Sequence, residues 1–321
     1  MTLKAELHLH LEGCISPETA LMLAKRHGET IDSRWMGDDG FYQYADFMEF
    51  IQAFDAISIG LRTQQDYYDI TLDYLVKSAE QGSIFSELFV SPDHGARFGL
   101  PYDALIDGVA SAIEDAHKRT RIESRITLIG VRHNGVESCE NVAKLLHAQP
   151  HPMVTGYGLA GDEAGFPPSQ FKKAFEIAGE AGAGLTAHAG EWGDAASVRD
   201  AIRELGITRI GHGVRSIEDA SVIEEIVDKG ITLEVCPMSN IALKVYPGFE
   251  QHPLRRLIDS GVKCTLSTDD PPFFGTSIAK EYAVAQQNFG LSDEQLLQLT
   301  RNSINAAFVD DETRADLLAQ L

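Results

Sequence analysis

Positive charge is scarce in this sequence. Its 321 residues include 27 lysines and arginines against 48 aspartates and glutamates, so the formal net charge is −21. A surface this acidic repels the phosphate backbone of nucleic acids and anionic lipid surfaces. We therefore expect neither a nucleic-acid partner nor a membrane partner. A neutral or cationic small molecule is favoured over a phosphorylated one.

Cysteines and long apolar runs are scarce as well. The four cysteines lie far apart and form no C-x-x-C pair, at Cys14, Cys139, Cys236 and Cys264. This spacing indicates a reducing compartment rather than a disulfide framework. No segment approaches the roughly 18 apolar residues of a membrane span. The first residues, MTLKAELHLHLEG, carry charges where a signal peptide needs an apolar run. We therefore predict a cytoplasmic protein.

Short apolar or alternating runs, separated by longer helical patterns, fill most of the chain. Eight of these runs are predicted strands, at residues 5–9, 84–90, 126–131, 153–159, 184–187, 209–211, 231–235 and 263–266. Helical patterns lie between most of them, for instance at 102–119, 168–181, 195–204, 217–229 and 253–260. Strand–helix alternation predicts an α/β fold with a parallel sheet, and eight units predict a closed (β/α)8 TIM barrel.

Two segments depart from this alternation. A long insertion at about residues 16–79 follows the first strand and is predicted to form several helices, one of them at 44–57. The C-terminal segment 277–321 is predicted to form helices packed outside the barrel. Because no repeat or linker interrupts the chain, we predict a single domain over residues 1–321.

Two histidines stand close together near the N-terminus, in His8-Leu9-His10. Alternation along a strand puts both imidazoles on one face, where they can share a metal ion. By itself the pair is a modest signal, because a chance H-x-H near a terminus is common.

A third histidine is followed by an acid in TAHAGE, residues 186–191. His188 closes the fifth predicted strand and is a candidate third ligand. Glu191 can face the same cavity without touching the metal, which is the placement that a general acid or base needs. The alternative is a core histidine followed by a glutamate that the helix N-terminus favours.

The sixth and eighth predicted strands end in two further motifs. His212 lies between Gly211 and Gly213, which let the backbone approach closely and leave the imidazole open to the cavity. Asp269 and Asp270 point to different sides, so that one can bind a metal while the other contacts substrate. Alone, each motif is equally compatible with an ordinary turn.

Together the four motifs lie at the C-terminal ends of predicted strands one, five, six and eight, the face where barrel enzymes keep their active sites. We therefore predict a metalloenzyme. Three imidazoles and a carboxylate suit zinc, although iron, cobalt or manganese compete for such ligands. The metal would lower the pKa of a water molecule from about 16 to about 7. His212 would hold and deprotonate that water, and Glu191 would pass a proton to the substrate.

Six segments resemble the adenosine deaminase family, within the metal-dependent amidohydrolase barrels. They are AELHLHLEG (5–13), GLAGDEAGFP (158–167), TAHAGE (186–191), RIGHGVRSIED (209–219), LEVCPMSN (233–240) and STDDP (267–271). These segments are spread over nearly the whole chain. The resemblance implies a barrel enzyme that hydrolyses the amino group of a 6-aminopurine.

The resemblance also implies roles for the matched residues. One zinc ion per chain would be bound by four side chains: His8, His10, His188 and Asp269. Glu191 would protonate the purine at N1, and His212 would orient and activate the water that attacks C6.

The implied substrate contacts lie around the same rim. His10 and Glu12 are among them, Asp270 would accept a hydrogen bond at N7, and the backbone of Gly161 would contact the ring near N3. The helix predicted at 44–57 resembles the gate that covers the pocket in this family. Its apolar face would contact substrate through Phe47, Phe50, Ile51 and Phe54, although an ordinary core-facing stripe has the same spacing.

The choice between adenosine and adenine depends on a few positions. Typical adenosine deaminases carry H-x-H-L-D-G, with the aspartate on the ribose, whereas Glu12 is common in the adenine deaminase branch. Residues 167–171 also resemble the adenine branch, while AGDE (160–163) and RIGH (209–212) resemble the adenosine branch. We expect adenosine and 2′-deoxyadenosine to be converted to inosine and ammonia in purine salvage. Adenine or another 6-aminopurine nucleoside is the alternative substrate, and a metal-dependent phosphoesterase is a remote one.

Overall fold

Eight parallel strands, hydrogen-bonded to one another in sequence order, form the centre of the protein. The structure is a computed structural model that describes residues 2–321, except for the side chain of Phe47. The strands are β1 (Lys4–Glu6), β2 (Ser83–Val90), β3 (Glu123–Val131), β4 (Val154–Ala160), β5 (Gly184–Ala189), β6 (Arg209–His212), β7 (Thr232–Val235) and β8 (Lys263–Leu266). The predicted (β/α)8 barrel is therefore confirmed.

Fifteen α-helices surround the strands within residues 2–321. They are α1 (Pro17–Arg26), α2 (Phe47–Ile57), α3 (Gln64–Glu80), α4 (Pro92–Ala96), α5 (Tyr102–Thr120), α6 (Val136–Ala148), α7 (Lys172–Glu180), α8 (Ala195–Glu204), α9 (Ala220–Lys229), α10 (Pro237–Ala242), α11 (Leu254–Asp259), α12 (Pro271–Phe274), α13 (Ile278–Phe289), α14 (Asp293–Ala306) and α15 (Asp311–Leu318). Short 3-10 helices lie at Leu11–Cys14, Ser33–Trp35, Ser58–Gly60, Arg132–Asn134, Pro168–Phe171 and Val214–Glu218. None of the helices in the described part of the chain is long and apolar enough to cross a membrane.

The first strand is shorter than predicted, and the difference positions the histidine pair. Regular pairing ends at Glu6, because the hydroxyl oxygen of Ser267 accepts hydrogen bonds from the backbone N–H groups of Leu7 and His8, at 3.1 and 3.2 Å. A side chain thus takes the place of a strand partner. Beyond it, His10 N–H donates to the carbonyl of Asp269 at 3.0 Å. This contact closes the barrel between its first and last strands.

Charged side chains fill the centre of the barrel, where branched apolar residues usually dominate. The fully buried guanidinium of Arg209 on β6 lies 2.7 Å from Glu87 Oε1 on β2 and 2.6 Å from Glu234 Oε1 on β7. The same guanidinium lies over the ring of Phe308, 3.6 Å from its centroid. Pairing of this kind offsets the desolvation cost of buried charges. The network joins the strands beneath the active-site rim.

The insertion after β1 forms three α-helices, and α2 is its gate-like element. This helix begins at Phe47 rather than at Tyr44, because Asp46 caps it by accepting the N–H of Glu49 at 3.0 Å. The carboxylate of Glu49 accepts the N–H of Ala45 at 2.8 Å in return. These reciprocal bonds set the start of the helix.

The C-terminal segment packs outside the barrel, and its helix α14 also forms hydrogen bonds to the barrel. On α14, the amide of Asn302 donates to the carbonyl of Cys264 on β8 at 2.9 Å. The hydroxyl of Thr300 donates to the carbonyl of Leu3 beside β1 at 2.7 Å. Helix α14 therefore covers the seam where the barrel closes.

Candidate active site

Four of the predicted site residues converge at the carboxyl ends of β1, β5, β6 and β8. Nitrogen and carboxylate oxygen atoms of His8, His188, His212 and Asp269 all lie within 4.8 Å of one another, and the four residues are buried. The convergence follows from the parallel barrel, which brings all the strand ends to one rim. Such a group has the size and the ligand types of a single metal site.

His10 lies beside this group. Its Nε2 is 3.3 Å from His188 Nε2 and 3.5 Å from Asp269 Oδ1. The sequence-predicted ligand set contains His10, whereas the tightest cluster contains His212 instead. Five candidate groups therefore surround one point, and their hydrogen-bond partners help to distinguish their roles.

The groups that contact Nδ1 of His8 and Nδ1 of His188 can only accept hydrogen bonds. His8 Nδ1 donates to Glu234 Oε2 at 2.9 Å, and His188 Nδ1 donates to the carbonyl of Leu159 at 2.9 Å. Each ring therefore carries a proton on Nδ1 and directs Nε2 into the site, where that nitrogen can bind a metal ion when it carries no proton. Within residues 2–321, the buried Nε2 of His8 has no hydrogen-bond partner. This is the arrangement that metal-binding histidines show.

The electrostatics also favour a cation at this point. Burial lowers the pKa of His8, but the interactions with Asp269 and Glu234 outweigh it and raise that pKa to about 9. Burial raises the pKa of Asp269, but contacts with His8 and the other histidines hold it well below its usual range. With a pKa of about 9, His8 carries a second proton on Nε2 in the metal-free site, 3.6 Å from the ionised carboxylate of Asp269. The site therefore attracts one positive charge, and a metal ion can take the place of that proton.

Glu191 lies in the loop after β5, and a second carboxylate holds that loop in place. Glu163 accepts the backbone N–H groups of Gly190, Glu191 and Trp192 at 2.5, 3.0 and 2.9 Å, and the hydroxyl of Ser197 at 2.6 Å. Four hydrogen bonds to one side chain fix the direction in which Glu191 enters the site.

The environment of Glu191 suits a group that donates a proton. Its Oε2 lies 3.6 Å from His212 Nε2, and its buried Oε1 has no hydrogen-bond partner among the described residues. Burial, together with the charges of Asp269 and Glu163, raises the pKa of Glu191 well above its usual range. A raised pKa favours the protonated carboxyl, which is the form that acts as a general acid.

Two of the site residues have strained backbones. His212 has a φ of 58° and Asp269 a φ of 63°, the left-handed region that residues with a Cβ rarely adopt. Such conformations cost roughly 1–3 kcal/mol each and occur most often at functional sites. On β6, a Cβ on Gly211 would lie 2.7 Å from Cε1 of His8, so a glycine is needed there for the ring of His8 to approach.

Asp270 lies beside Asp269, but its pKa is shifted in the opposite direction. Burial, followed by the negative charge of Asp269, raises the pKa of Asp270 well above its usual range. Its Oδ1 is buried and, within residues 2–321, has no hydrogen-bond partner. The sequence analysis expects Asp270 to accept a hydrogen bond from the substrate. The raised pKa favours a protonated carboxyl, which donates instead.

A cavity of about 120 Å³ opens next to these groups. Most of the predicted substrate contacts line it, namely His10, Glu12, Phe50, Ile51, Phe54, Gly161 and Asp270. The predicted contact of Phe47 lies outside the described side chains. Helix α2 is held against the rim by aromatic packing, because the ring of Phe54 stacks on that of Phe273 at 5.7 Å.

The cavity is also lined by polar residues that were not predicted from the sequence, namely Asp55, Ser91, His94, Arg97 and His133. Asp55, Arg97 and His133 are exposed and lie at its mouth. Arg97 Nη1 lies 2.7 Å from Asp55 Oδ1, which joins the gate helix to the segment after α4. Glu12 Oε1 accepts the N–H of Ser91 at 3.0 Å.

Three further residues that hold the site together were missed as well. They are Glu234 behind His8, Glu163 behind Glu191, and Arg132, whose guanidinium donates to the carbonyl of His188. Arg132 and Glu234 are fully buried. A single charged residue inside the apolar run 231–235 is a signal that could have revealed Glu234.

Comparisons with known proteins agree on one family. A family model described as adenosine deaminase matches residues 3–321. An adenine deaminase of Sinorhizobium medicae (strain WSM419) is 48% identical over 318 residues, which cover 99% of this chain and 98% of that protein. An adenine deaminase of Chelativorans sp. (strain BNC1) is 47% identical over 321 residues, 100% of this chain and 98% of that protein.

Two solved structures are similar over nearly the whole chain. The adenine deaminase from Arthrobacter aurescens has a TM-score of 0.92 and 30% identity, and the match covers 100% of this chain and 98% of that one. An amidohydrolase from Burkholderia ambifaria, with bound Zn, has a TM-score of 0.90 and 27% identity, with coverage of 99% and 89%.

Proposed function

The chain belongs to the adenosine deaminase family of C–N hydrolases, and we propose that its substrate is adenine, which it converts to hypoxanthine and ammonia. The observation that carries this proposal is the similarity to adenine deaminases at 46–48% identity over 99% or more of the chain. The sequence analysis favours adenosine and keeps adenine as its alternative. The comparisons support the alternative better.

The size of the cavity supports a base rather than a nucleoside. Its volume is about 120 Å³, less than the roughly 150 Å³ that holds one benzene ring in another protein. A purine ring already needs all of this space, so a ribose has no room beside it. A ribose would extend toward the mouth, where the paired Arg97 and Asp55 lie.

The contacts of Glu12 also favour a base over a nucleoside as the substrate. Its carboxylate is 2% exposed, and one oxygen already accepts the N–H of Ser91. His94 Nδ1 lies 3.9 Å from the same oxygen. A carboxylate engaged by the protein in this way has less capacity to bind two ribose hydroxyls than the shorter aspartate of typical adenosine deaminases.

We propose that one zinc ion is held by His8, His10, His188 and Asp269. When bound, the ion supplies Lewis acidity that makes a water molecule nucleophilic near neutral pH. The Nε2 atoms of His8 and His188, which point into the site, support this ligand set. A structurally similar amidohydrolase with bound Zn supports the choice of metal.

The remaining side chains handle protons and hold the purine. Protonated Glu191 donates to N1, which makes C6 electrophilic, and His212 orients the attacking water. Protonated Asp270 donates to N7, and the backbone of Gly161 contacts the ring near N3. A C6–O bond forms and the C6–N bond breaks. One proton of the water restores Glu191 and the other leaves on the amino group, so that water and adenine give hypoxanthine and ammonia.

The proposal is tested by comparing kcat/KM for adenine, adenosine and 2′-deoxyadenosine on one zinc-reconstituted preparation, with ammonia release as the readout. We expect adenine to be preferred by roughly 100-fold or more, since a pocket shaped for one substrate discriminates on this scale. A preference for adenosine would contradict the substrate proposal. The variant Glu12→Asp is expected to reduce this preference.

A further inference from the structure

A chain of three buried hydrogen-bonding groups lies behind His212, on the side away from the cavity. Its members are the side chains of Asn240 on α10 and His252, and the backbone N–H of Leu254 at the start of α11. Asn240 is 0% exposed and His252 is 4% exposed. Neither side chain lines the cavity, so neither contacts the substrate.

The donor-to-acceptor direction of these hydrogen bonds is set by the backbone N–H of Leu254, the group farthest from His212. The N–H of Leu254 lies 3.2 Å from His252 Nδ1, and a backbone N–H can only donate. His252 Nδ1 is therefore an acceptor and carries no proton. Burial lowers the pKa of His252 to about 3, so the ring is neutral and its proton is on Nε2. The rings of Tyr246 and Phe289, 5.3 and 5.4 Å away, enclose it.

The proton on His252 Nε2 in turn fixes the orientation of the Asn240 side-chain amide. His252 Nε2 lies 3.0 Å from Asn240 Oδ1, and a protonated nitrogen needs an acceptor there, which orients the amide. The other end of the amide, Nδ2, must then donate to His212 Nδ1 at 3.1 Å. Because Nδ1 of His212 receives a hydrogen bond, the single proton of the neutral ring is on Nε2.

The cavity side of His212 agrees with this assignment. Its Nε2 faces two carboxylates, with Glu191 Oε2 at 3.6 Å and Asp269 Oδ2 at 3.7 Å. Both oxygens are suitable acceptors for a protonated nitrogen.

We propose that Asn240 and His252 are positioning residues that hold His212 in the tautomer protonated on Nε2. In this state His212 is a hydrogen-bond donor to the attacking water. It has no lone pair on Nε2 with which to bind a metal ion or take a proton. The proposal rests on the proposed deamination for the identity of the water, but the tautomer itself is independent of any substrate.

The assignment separates His212 from the other histidines of the cluster. His8 and His188 have acceptors behind them and point a lone pair into the site, whereas His212 has a donor behind it and points a proton there. The sequence analysis expects His212 to deprotonate the water, and the hydrogen-bond chain argues against that role.

The tautomer is measured directly by 15N NMR of the full-length, zinc-reconstituted protein labelled at histidine, with the signals of His8, His188 and His212 assigned by their loss in single His→Gln variants. We expect a pyrrole-type Nε2 and a pyridine-type Nδ1 for His212, and the reverse protonation for His8 and His188. A protonated Nδ1 on His212 overturns the proposal. The spectrum needs no substrate, so this result is separate from the outcome of the adenine assay.

The variant Asn240→Asp tests the positioning role. A carboxylate only accepts, so it forces a proton onto His212 Nδ1 and changes the NMR signature. We expect kcat to fall by about 10²–10⁴-fold with KM little changed, because a wrong tautomer costs on this scale in serine proteases. The control is Asn302→Asp on α14, which also replaces an amide that donates to a buried acceptor, but far from the site. An unchanged His212 signature in folded Asn240→Asp overturns the proposal.

A second pair of variants covers the case in which Asn240→Asp does not fold. His252→Gln keeps an N–H that can donate to Asn240 Oδ1, whereas His252→Leu removes it. We expect the His212 signature and kcat to be largely retained in His252→Gln and altered in His252→Leu. Equal signatures in the two variants would contradict the role of His252.

Discussion

Three buried histidines direct Nε2 to the same part of the rim, but the groups that contact their Nδ1 atoms differ between the two sides of the site. On the side of β1 and β5, His8 and His188 have a carboxylate and a carbonyl behind them. On the side of β6, His212 has an amide N–H behind it. The partner behind an imidazole therefore decides whether Nε2 offers a lone pair or a proton. We call these the ligand side and the proton side.

The supports of the two sides differ as well. The ligand side is connected to the centre of the barrel, because Glu234 also pairs with the buried Arg209. The proton side is held by loops and short helices, with Glu163 binding the Glu191 loop and Asn240 on α10. Changes on the ligand side should therefore act on metal binding, and changes on the proton side should act on turnover.

The largest effect is expected from His8→Ala. The change removes a proposed ligand and leaves Glu234 without its partner, so both the metal content and deaminase activity should be lost. Metal is measured by elemental analysis of the purified protein, and His147→Ala, at an exposed histidine on α6, is the matched control. Full metal content in His8→Ala would show that the ligand side is wrongly assigned.

Glu191→Gln should produce the second largest effect. Unlike His8→Ala, it should remove activity without removing the metal. The amide keeps the shape of the side chain but lacks the acidic proton, so kcat should fall by about 10²–10⁴-fold while metal content stays at the wild-type level. Parallel measurement of ammonia release and metal content checks this. Wild-type turnover would rule out Glu191 as the acid.

Glu234→Gln should have an intermediate effect, which acts on metal affinity and on the stability of the buried pair with Arg209, but not on kcat. The amide can still accept from His8 but no longer carries the charge that strengthens the ring as a ligand. Outer-sphere changes of this kind weaken metal binding by about 10–100-fold. Competition with a chelator measures the affinity, and kcat at saturating zinc should be close to that of the wild type. A loss of kcat that zinc does not restore would contradict the division between the two sides.

The smallest effect on turnover is expected from Glu281→Gln, a buried carboxyl on α13 outside both sides. Burial raises its pKa to about 8, while Thr276 and the N–H of Met238 donate to it. Because the raised pKa belongs to the folded state, its stabilising contribution is complete below the unfolded pKa of about 4.3 and is lost as pH rises through about 8.

The glutamine variant removes this pH dependence. Its free energy of unfolding, relative to that of the wild type, should increase on the order of 3–5 kcal/mol between pH 4 and pH 9. Urea denaturation at several pH values measures the difference. A difference that does not change with pH would show that Glu281 ionises normally in the folded protein.

Much of the fold and of the rim could be predicted, because the information is local. Strand periodicity identifies the barrel, and short motifs at strand ends identify residues such as His188, Glu191 and Asp269. The length of β1 could not be predicted in this way, because it depends on the hydroxyl of Ser267, which is distant in sequence.

The roles of the residues within the site could not be predicted from the sequence either, because they depend on contacts between residues that are distant in sequence. The tautomer of His212 depends on residues 28 and 12 positions apart in successive hydrogen bonds, and no local pattern records such a chain. The raised pKa of Asp270 depends on burial and on the neighbouring Asp269. The proposed preference for adenine is argued from the size of the cavity and from the contact of Glu12 with Ser91.

The most direct test of the two-sided site is a crystal structure of the zinc-loaded protein with the metal located by anomalous scattering. We predict one ion with Nε2 of His8, His10 and His188 at about 2.0–2.1 Å and a carboxylate oxygen of Asp269 at about 2.0–2.2 Å. His212 Nε2 should lie outside this coordination distance. An ion bound directly by His212 Nε2 would contradict the account.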